Sequence, residues 1–176
     1  MTKVDSLKHI DVVVNVEQLS MLEIQYSRML QEHIHNRVQA HRSPIHRWGL
    51  FAMRDIKANE MVVEYVGETV RRIIADQREK QYDLTHDMGG CYMFRLDNNH
   101  IVDATNCGNV ARFINHCCDP NCYAKVIRVR REDHIVIFSN KFIGEGEEIV
   151  YDYQFPLEED AIKCNCGSKN CIGRMN

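Results

Sequence analysis

The chain has 176 residues, with 25 acidic against 22 basic side chains and a formal net charge of −3. That length suits one domain with a buried core, and the charge balance excludes the strongly basic footprint of a nucleic-acid binder. No apolar run approaches a membrane span and no leader-like stretch opens the sequence, so the eight cysteines are expected in a reducing compartment, where clustered thiols bind metal more often than they pair.

In chain order, Asn15 followed by Gln18 has the spacing of a capping box. Leu19, Leu22, Tyr26, Met29, Leu30 and Ile34 then recur at helical spacing, which predicts a helix over residues 16–38. His33, His35 and His41 have no metal-like companions and are assigned to its solvated side. From Ser43 the texture becomes β-rich. Strands are predicted over 50–53 and over 61–66, the second a β-branched run ended by Gly67. A helix is predicted over 69–82, with Val70, Ile73, Ile74, Gln77 and Gln81 on one side, and a loop over 83–90. Residues 91–96 and 100–102 alternate as a hairpin around Asp97-Asn98-Asn99. A second hairpin joins 123–130 to 134–139 through Arg131-Glu132-Asp133. Alternation with valine makes Arg128-Val129-Arg130-Arg131 a strand with a wet side, not a nucleic-acid patch. Many short strands and few helices give a mainly β fold.

The densest chemistry lies between Arg112 and Cys122. Asn115, His116, Cys117 and Cys118 are followed by Asp119-Pro120-Asn121, a sequence that breaks regular structure and reads as a functional or metal loop. Near the end of the chain, Cys164, Cys166 and Cys171 supply three thiolates. Tetrahedral structural zinc takes four ligands, so Cys117, Cys118 or Cys122 is expected to complete the set. A terminal segment of about twenty residues cannot bury enough apolar area to fold alone and needs such a clamp.

Asn115-His116-Cys117-Cys118, Tyr151-Asp152-Tyr153, Gly67 after Val62-Val63-Glu64-Tyr65 and the terminal Cys-x-Cys-x4-Cys together resemble the SET-domain protein lysine methyltransferases, from about residue 43 to residue 176. The resemblance implies a mainly β, β-clip-like SET fold with a pseudoknot and short helices, plus an N-terminal helix and a zinc-bound post-SET segment. It divides the chain into a flank (1–42), a catalytic domain (43–155) and a post-SET segment (156–176). It also implies S-adenosylmethionine held by His46, Trp48, Tyr92, Arg112, Asn115, His116 and Asn165. Tyr153 is implied as the catalytic tyrosine, with Tyr151 and Tyr92 beside it in a lysine channel. One structural zinc ion is implied on Cys118, Cys164, Cys166 and Cys171.

The wording Arg-Ser-Pro-Ile-His, Cys-Tyr-Met-Phe-Arg, Val-Asp-Ala-Thr and Tyr-Asp-Tyr-Gln-Phe-Pro is most similar to the Trithorax/mixed-lineage-leukaemia/COMPASS class, which methylates lysine 4 of histone H3. That class implies a nuclear location, the histone H3 tail as substrate, and WD-repeat and SPRY-domain partner subunits, with no direct nucleic-acid or membrane binding by this domain. It also makes residues 67–90 a flap whose position partners govern. Most relatives have Gly-x-Gly where this sequence has Arg47-Trp48-Gly49. Alternatives are methylation of another lysine or of a non-histone protein, and a non-catalytic histone-tail-binding or scaffold module.

Overall fold

A computed structural model describes residues 20–85, 91–155 and 161–175. The first described helix, α1 (Met21–Gln31), is capped by Ser20. Ser20 Oγ accepts the Glu23 N–H (3.2 Å) while the Glu23 carboxylate accepts the Ser20 N–H (2.8 Å), a reciprocal box that satisfies two otherwise orphaned donors. The expected box at Asn15 and Gln18 lies outside the described residues, as do residues 86–90 of the flap. The helix expected over 16–38 is interrupted. Glu32 leaves helical geometry, a single turn α2 (Ile34–Arg37) follows, and β1 (Val38–Arg42) is a strand paired antiparallel with β2 (Trp48–Ala52). Helical periodicity gives way here to pairing that buries β-branched Val38 completely.

The remaining strands are β3 (Met61–Tyr65), β4 (Glu68–Arg71), β5 (Met93–Arg95), β6 (His100–Asp103), β7 (Asn115–His116), β8 (Cys122–Val129), β9 (Glu132–Ser139) and β10 (Glu148–Tyr151). Seven strands form a sheet in the order β1-β2-β10-β8-β9-β3, with β7 also on β10, and β4-β6-β5 form a second sheet. The last strand in sequence thus lies in the middle of the larger sheet, parallel to both β7 and β8. Asn121 ties it in: its Nδ2 donates to Glu148 O (2.8 Å) and its Oδ1 accepts the Val150 N–H (2.9 Å). A buried side-chain amide here does the work of a missing strand residue. Leu50, Ile56, Ile114, Ile137, Ile143 and Ile149 form the centre of the core between the sheets, each contributing about 1.5–3 kcal/mol on burial.

Two expectations along this stretch are corrected. The helix expected over 69–82 is β4 followed by α3 (Arg72–Thr85), because Thr69 and Val70 pair with Val102 and Ile101. Its packed face is set by Ala75, Arg78 and Tyr82, while Ile73 and Ile74 are exposed. Arg78 and the Tyr82 hydroxyl both donate to buried Asp103 (3.0 Å each). The turn of the β8–β9 hairpin is Arg130–Arg131, not 131–133. Both residues have positive φ (50° and 74°), and Val129 faces Glu132, as a two-residue primed turn requires. The hairpin around Asp97-Asn98-Asn99 forms as expected, with Asp97 Oδ1 accepting the N–H groups of Asn99 and His100. His33, His35 and His41 are exposed. No described helix is long and apolar enough to cross a membrane.

Candidate active site and metal centre

A cavity of ≈ 590 Å³ opens where three parts of the chain meet, a size that encloses most of a small organic ligand. One wall is the segment between β1 and β2, with His46, Arg47 and Trp48. A second is Tyr92 with Arg112 and Phe113 from the 3₁₀ turn Val110–Phe113. The third is Lys163, Cys164, Asn165 and Met175 of the C-terminal segment. Asn115, His116 and Tyr153 line its base. The seven residues expected to hold the donor, Tyr92 among them, therefore share one cavity with Tyr153. Tyr151 does not line it and sits one layer behind.

Asn115 organises the first wall. Its Nδ2 lies 2.9 Å from Trp48 O, 3.4 Å from His46 O and 2.8 Å from Glu148 Oε1, so one buried amide pins the loop carbonyls to β10. Ser43 Oγ donates to the same carboxylate (2.8 Å) and accepts the Ile45 N–H (3.0 Å). Ser43 and Glu148 were not singled out from sequence. The only hint was the position of Glu148 three residues before Tyr151. Gly49 is required at this point, because a Cβ there would overlap the Glu148 carboxylate and lie 2.9 Å from Ser43 Cβ. Arg47 has φ +36°, so an arginine adopts a left-handed backbone here at a cost.

Behind the cavity, aromatic rings form a row. Tyr153 and Tyr151 lie 5.0 Å apart, Tyr151 stacks on Phe94 at 5.9 Å, and Phe94 meets Tyr65 at 5.2 Å. Phe94 and Tyr65 were missed as site residues, although period-two alternation from Tyr92 and from Val63 puts both on the buried faces of their strands. Burial raises the Tyr151, Tyr153 and Tyr65 phenols above their ordinary value, reinforced at Tyr151 by Tyr153 and at Tyr153 by Tyr92. These hydroxyls are neutral donors at pH 7 and not bases. The Tyr153 hydroxyl donates to Ile114 O (2.8 Å), and its backbone N–H donates to His116 Nδ1 (3.2 Å). Burial lowers the His116 imidazole, opposed by Asp152, and keeps the ring neutral. Arg112 Nη1 donates to Ala104 O (3.0 Å), with its guanidinium 5.0 Å from the Phe113 ring centroid. Among the described residues its Nε is the buried side-chain nitrogen that lacks a protein partner.

At the cavity edge the sulfurs of Cys118, Cys164, Cys166 and Cys171 all lie within 4.8 Å of one another, with Cys118 Sγ 3.7 Å from Cys164 Sγ and 3.9 Å from Cys171 Sγ. Four sulfurs about 2.3 Å from one centre would be separated by about 3.8 Å, so the set fits tetrahedral zinc. Burial pushes the Cys164 thiol up to about 12. At Cys166 burial acts the same way but is outweighed by the Ser168 hydroxyl, the backbone N–H groups of Cys118 and Ser168 and the Cys164 thiol, which hold it at about 5. Four thiolates packed this closely need a cation between them. Cys122 is buried in the core, where burial raises it to about 12, and Cys117, raised by burial to about 11, touches Cys166 but lies outside the set of four. That leaves Cys118 as the fourth member, the one the resemblance implied.

The SET domain family matches residues 47–154, more than half of the chain. This chain belongs to the SET-domain family. Over 135 residues, 77% of its length, this SET domain is 57% identical to histone-lysine N-methyltransferase SETD1A of Homo sapiens and 58% identical to histone-lysine N-methyltransferase SETD1B of Homo sapiens. Over the same share it is 54% identical to histone-lysine N-methyltransferase set-2 of Caenorhabditis elegans. The SET chain covers 8%, 7% and 9% of those three proteins, so the likeness concerns one region of much longer molecules.

Proposed function

We propose that this SET domain is a protein-lysine N-methyltransferase that uses S-adenosylmethionine and acts on a histone H3 tail, at lysine 4. The observation that carries the reading is the aromatic row Tyr153–Tyr151–Phe94 ending at a cavity that holds every residue expected to bind the donor. The names of the SETD1A, SETD1B and set-2 relatives support the reaction class. S-adenosylmethionine, when bound, supplies an electrophilic methyl group. The backbone of the segment from His46 to Trp48, Asn115 and His116 are the groups that would hold it, with Tyr92, Arg112 and Asn165 closing the cavity. One zinc ion on the four cysteines would fix the third wall.

Transfer needs a neutral lysine amine, whereas free lysine has a pKa near about 10.4. A channel of buried rings disfavours the ammonium and lowers that value. Because the phenols are themselves raised, the proton leaves toward solvent before the amine is enclosed, and the tyrosine hydroxyls orient the nitrogen. Tyr153 is assigned as the catalytic tyrosine. Alignment of nucleophile and methyl group then supplies most of the rate enhancement. WD-repeat and SPRY-domain subunits are the expected partners and the nucleus the expected location. Partners would act by favouring a closed position of the α3 region over the cavity.

The test is methyl transfer to H3-tail peptides, with products resolved by mass spectrometry. Lysine 4 is expected to reach mainly the mono- and dimethyl states, and Tyr153→Phe to lose the reaction. Tyr151→Phe is expected to shift products toward trimethyl-lysine by roughly threefold to tenfold, the rate equivalent of one hydrogen bond in the channel. A chain that binds donor but methylates no H3 peptide would leave a non-catalytic histone-binding module as the reading.

A further inference from the structure

We propose that His116 is a positioning residue that couples the four-cysteine metal centre to the backbone of Tyr153. The inference rests on the zinc reading above and concerns the imidazole ring, whose two nitrogens face different neighbours. Nδ1 lies 3.2 Å from the Tyr153 backbone nitrogen. A backbone N–H can only donate, so Nδ1 carries the lone pair and the ring proton sits on Nε2. Nε2 is 3.5 Å from Cys118 Sγ, where an N–H donor meets a sulfur of the metal set.

The surroundings leave the ring little freedom. The His116 side chain is 4% exposed, so water does not compete for either nitrogen. Its strand is fixed by the parallel pairing of His116 with Tyr151 and by the Cys117 N–H on Tyr151 O (3.1 Å). Tyr153 is held at its far end by the bond from its hydroxyl to Ile114 O (2.8 Å). Immediately after it the chain turns at Gln154, with φ +53° and its N–H on Asp152 Oδ1 (3.0 Å). The Tyr153 amide is therefore the point at which the catalytic segment is tied to the metal side of the site. Asp152 Oδ1 is 3.6 Å from Nδ1 and is the competing neighbour if the ring turns.

A metal that fixes Cys118 Sγ in the four-sulfur set also fixes the Nε2–H that meets it, and with it the orientation of the ring whose Nδ1 accepts from Tyr153. Metal binding is thus transmitted to the catalytic tyrosine through one ring, in addition to shaping the cavity wall.

The two ring functions can be separated. In His116→Gln the amide reaches the Nε2 position and keeps a donor for Cys118 but gives up the acceptor for Tyr153. In His116→Asn the carbonyl takes the Nδ1 position and the contact with sulfur is lost. Zinc affinity, read by competition with a chromophoric chelator, is expected to fall tenfold to hundredfold in His116→Asn and to stay within a few-fold in His116→Gln. Exchange of the Tyr153 amide, read by NMR, is expected to quicken in the unchanged chain when zinc is removed. In His116→Gln it is expected to be fast already and to stop responding to zinc. A loosening of the C-terminal segment without the relay would still respond to zinc in His116→Gln. That result, equal zinc affinities in the two variants, a chain that takes up no zinc, or a Tyr153 amide indifferent to zinc in the unchanged chain would overturn the proposal.

Discussion

Two segments lie outside the sheets, α1 and residues 161–175, and they are packed in different ways. Helix α1 buries Tyr26 and Met29 against Met61, Ile127, Val129, Val136 and Phe138. Its polar contacts are also buried or half-buried. The Tyr26 hydroxyl donates to Glu64 (2.8 Å), and Arg37, 2% exposed, binds Met29 O, Val62 O and Glu32 at the end of the helix. The C-terminal segment, residues 161–175, has Cys164 as its buried residue. Among the described residues its backbone bonds include Cys164 N–H to Gly173 O (3.1 Å), Met175 N–H to Ile162 O (2.9 Å) and Cys171 N–H to Ser168 O (3.1 Å). Ile162 and Ile172 point to solvent. A helix that buries an apolar stripe needs no other clamp, whereas a segment with almost no core, whose three sulfurs converge with that of Cys118, would draw its free energy from a metal. The difference matters because only the second segment forms a wall of the cavity.

The largest effect is expected at that wall. Cys118→Ala together with Cys166→Ala leaves two ligands, and methyl transfer is expected to fall at least a hundredfold. Far-UV circular dichroism should stay close to that of the unchanged chain, because the main sheet and α1 do not depend on the sulfurs. Full activity in the double variant would remove the distinction between the two segments.

A smaller effect is expected at α1, and pH separates it. Glu32 is held down at about 2, first by the hydrogen bonds from Arg54 and then by Arg37 against the opposing effect of burial. Because the folded value is below the ordinary value of 4.5, its contribution is complete above pH 4.5 and is lost as pH falls toward 2. Glu32→Gln is expected to cost about 1–3 kcal/mol at neutral pH, by leaving Arg37 without its carboxylate. The gap from the unchanged chain, read by urea unfolding, should close between pH 4.5 and pH 2. A gap constant with pH would show that packing alone holds α1.

Much of this contrast was legible in the sequence. The cysteine spacing at 164, 166 and 171, the Asn115-His116 pair and the tyrosines at 151 and 153 are local signals, and the cavity collects the side chains they named. What was not legible depended on pairing across the chain. Val38 and Val70 carry helical periodicity on either side, yet both are strand residues because β2 and β6 offer ladders that local propensity cannot see. Glu148 and Ser43, 105 positions apart, meet only because β10 enters the middle of the sheet. The Arg130–Arg131 turn was misplaced because two arginines with positive φ contradict the residue preference that locates such turns.

The smallest effect concerns the first wall. Arg47→Gly relieves a left-handed backbone at the cavity but frees the unfolded chain, so a net gain of under about 1 kcal/mol is expected. A thermal scan should show a slightly raised midpoint. A lowered one would mean that the Arg47 side chain contributes more to the wall than its backbone costs.

If one cavity is built jointly by a packed wall and a metal-held wall, calorimetric titration of S-adenosylmethionine into the same chain before zinc removal, after it, and after zinc is restored tests it most directly. One-site binding with zinc, none measurable without it, and full recovery on adding zinc back is the predicted result. Equal binding without zinc, or no binding in the zinc-loaded chain, would contradict it.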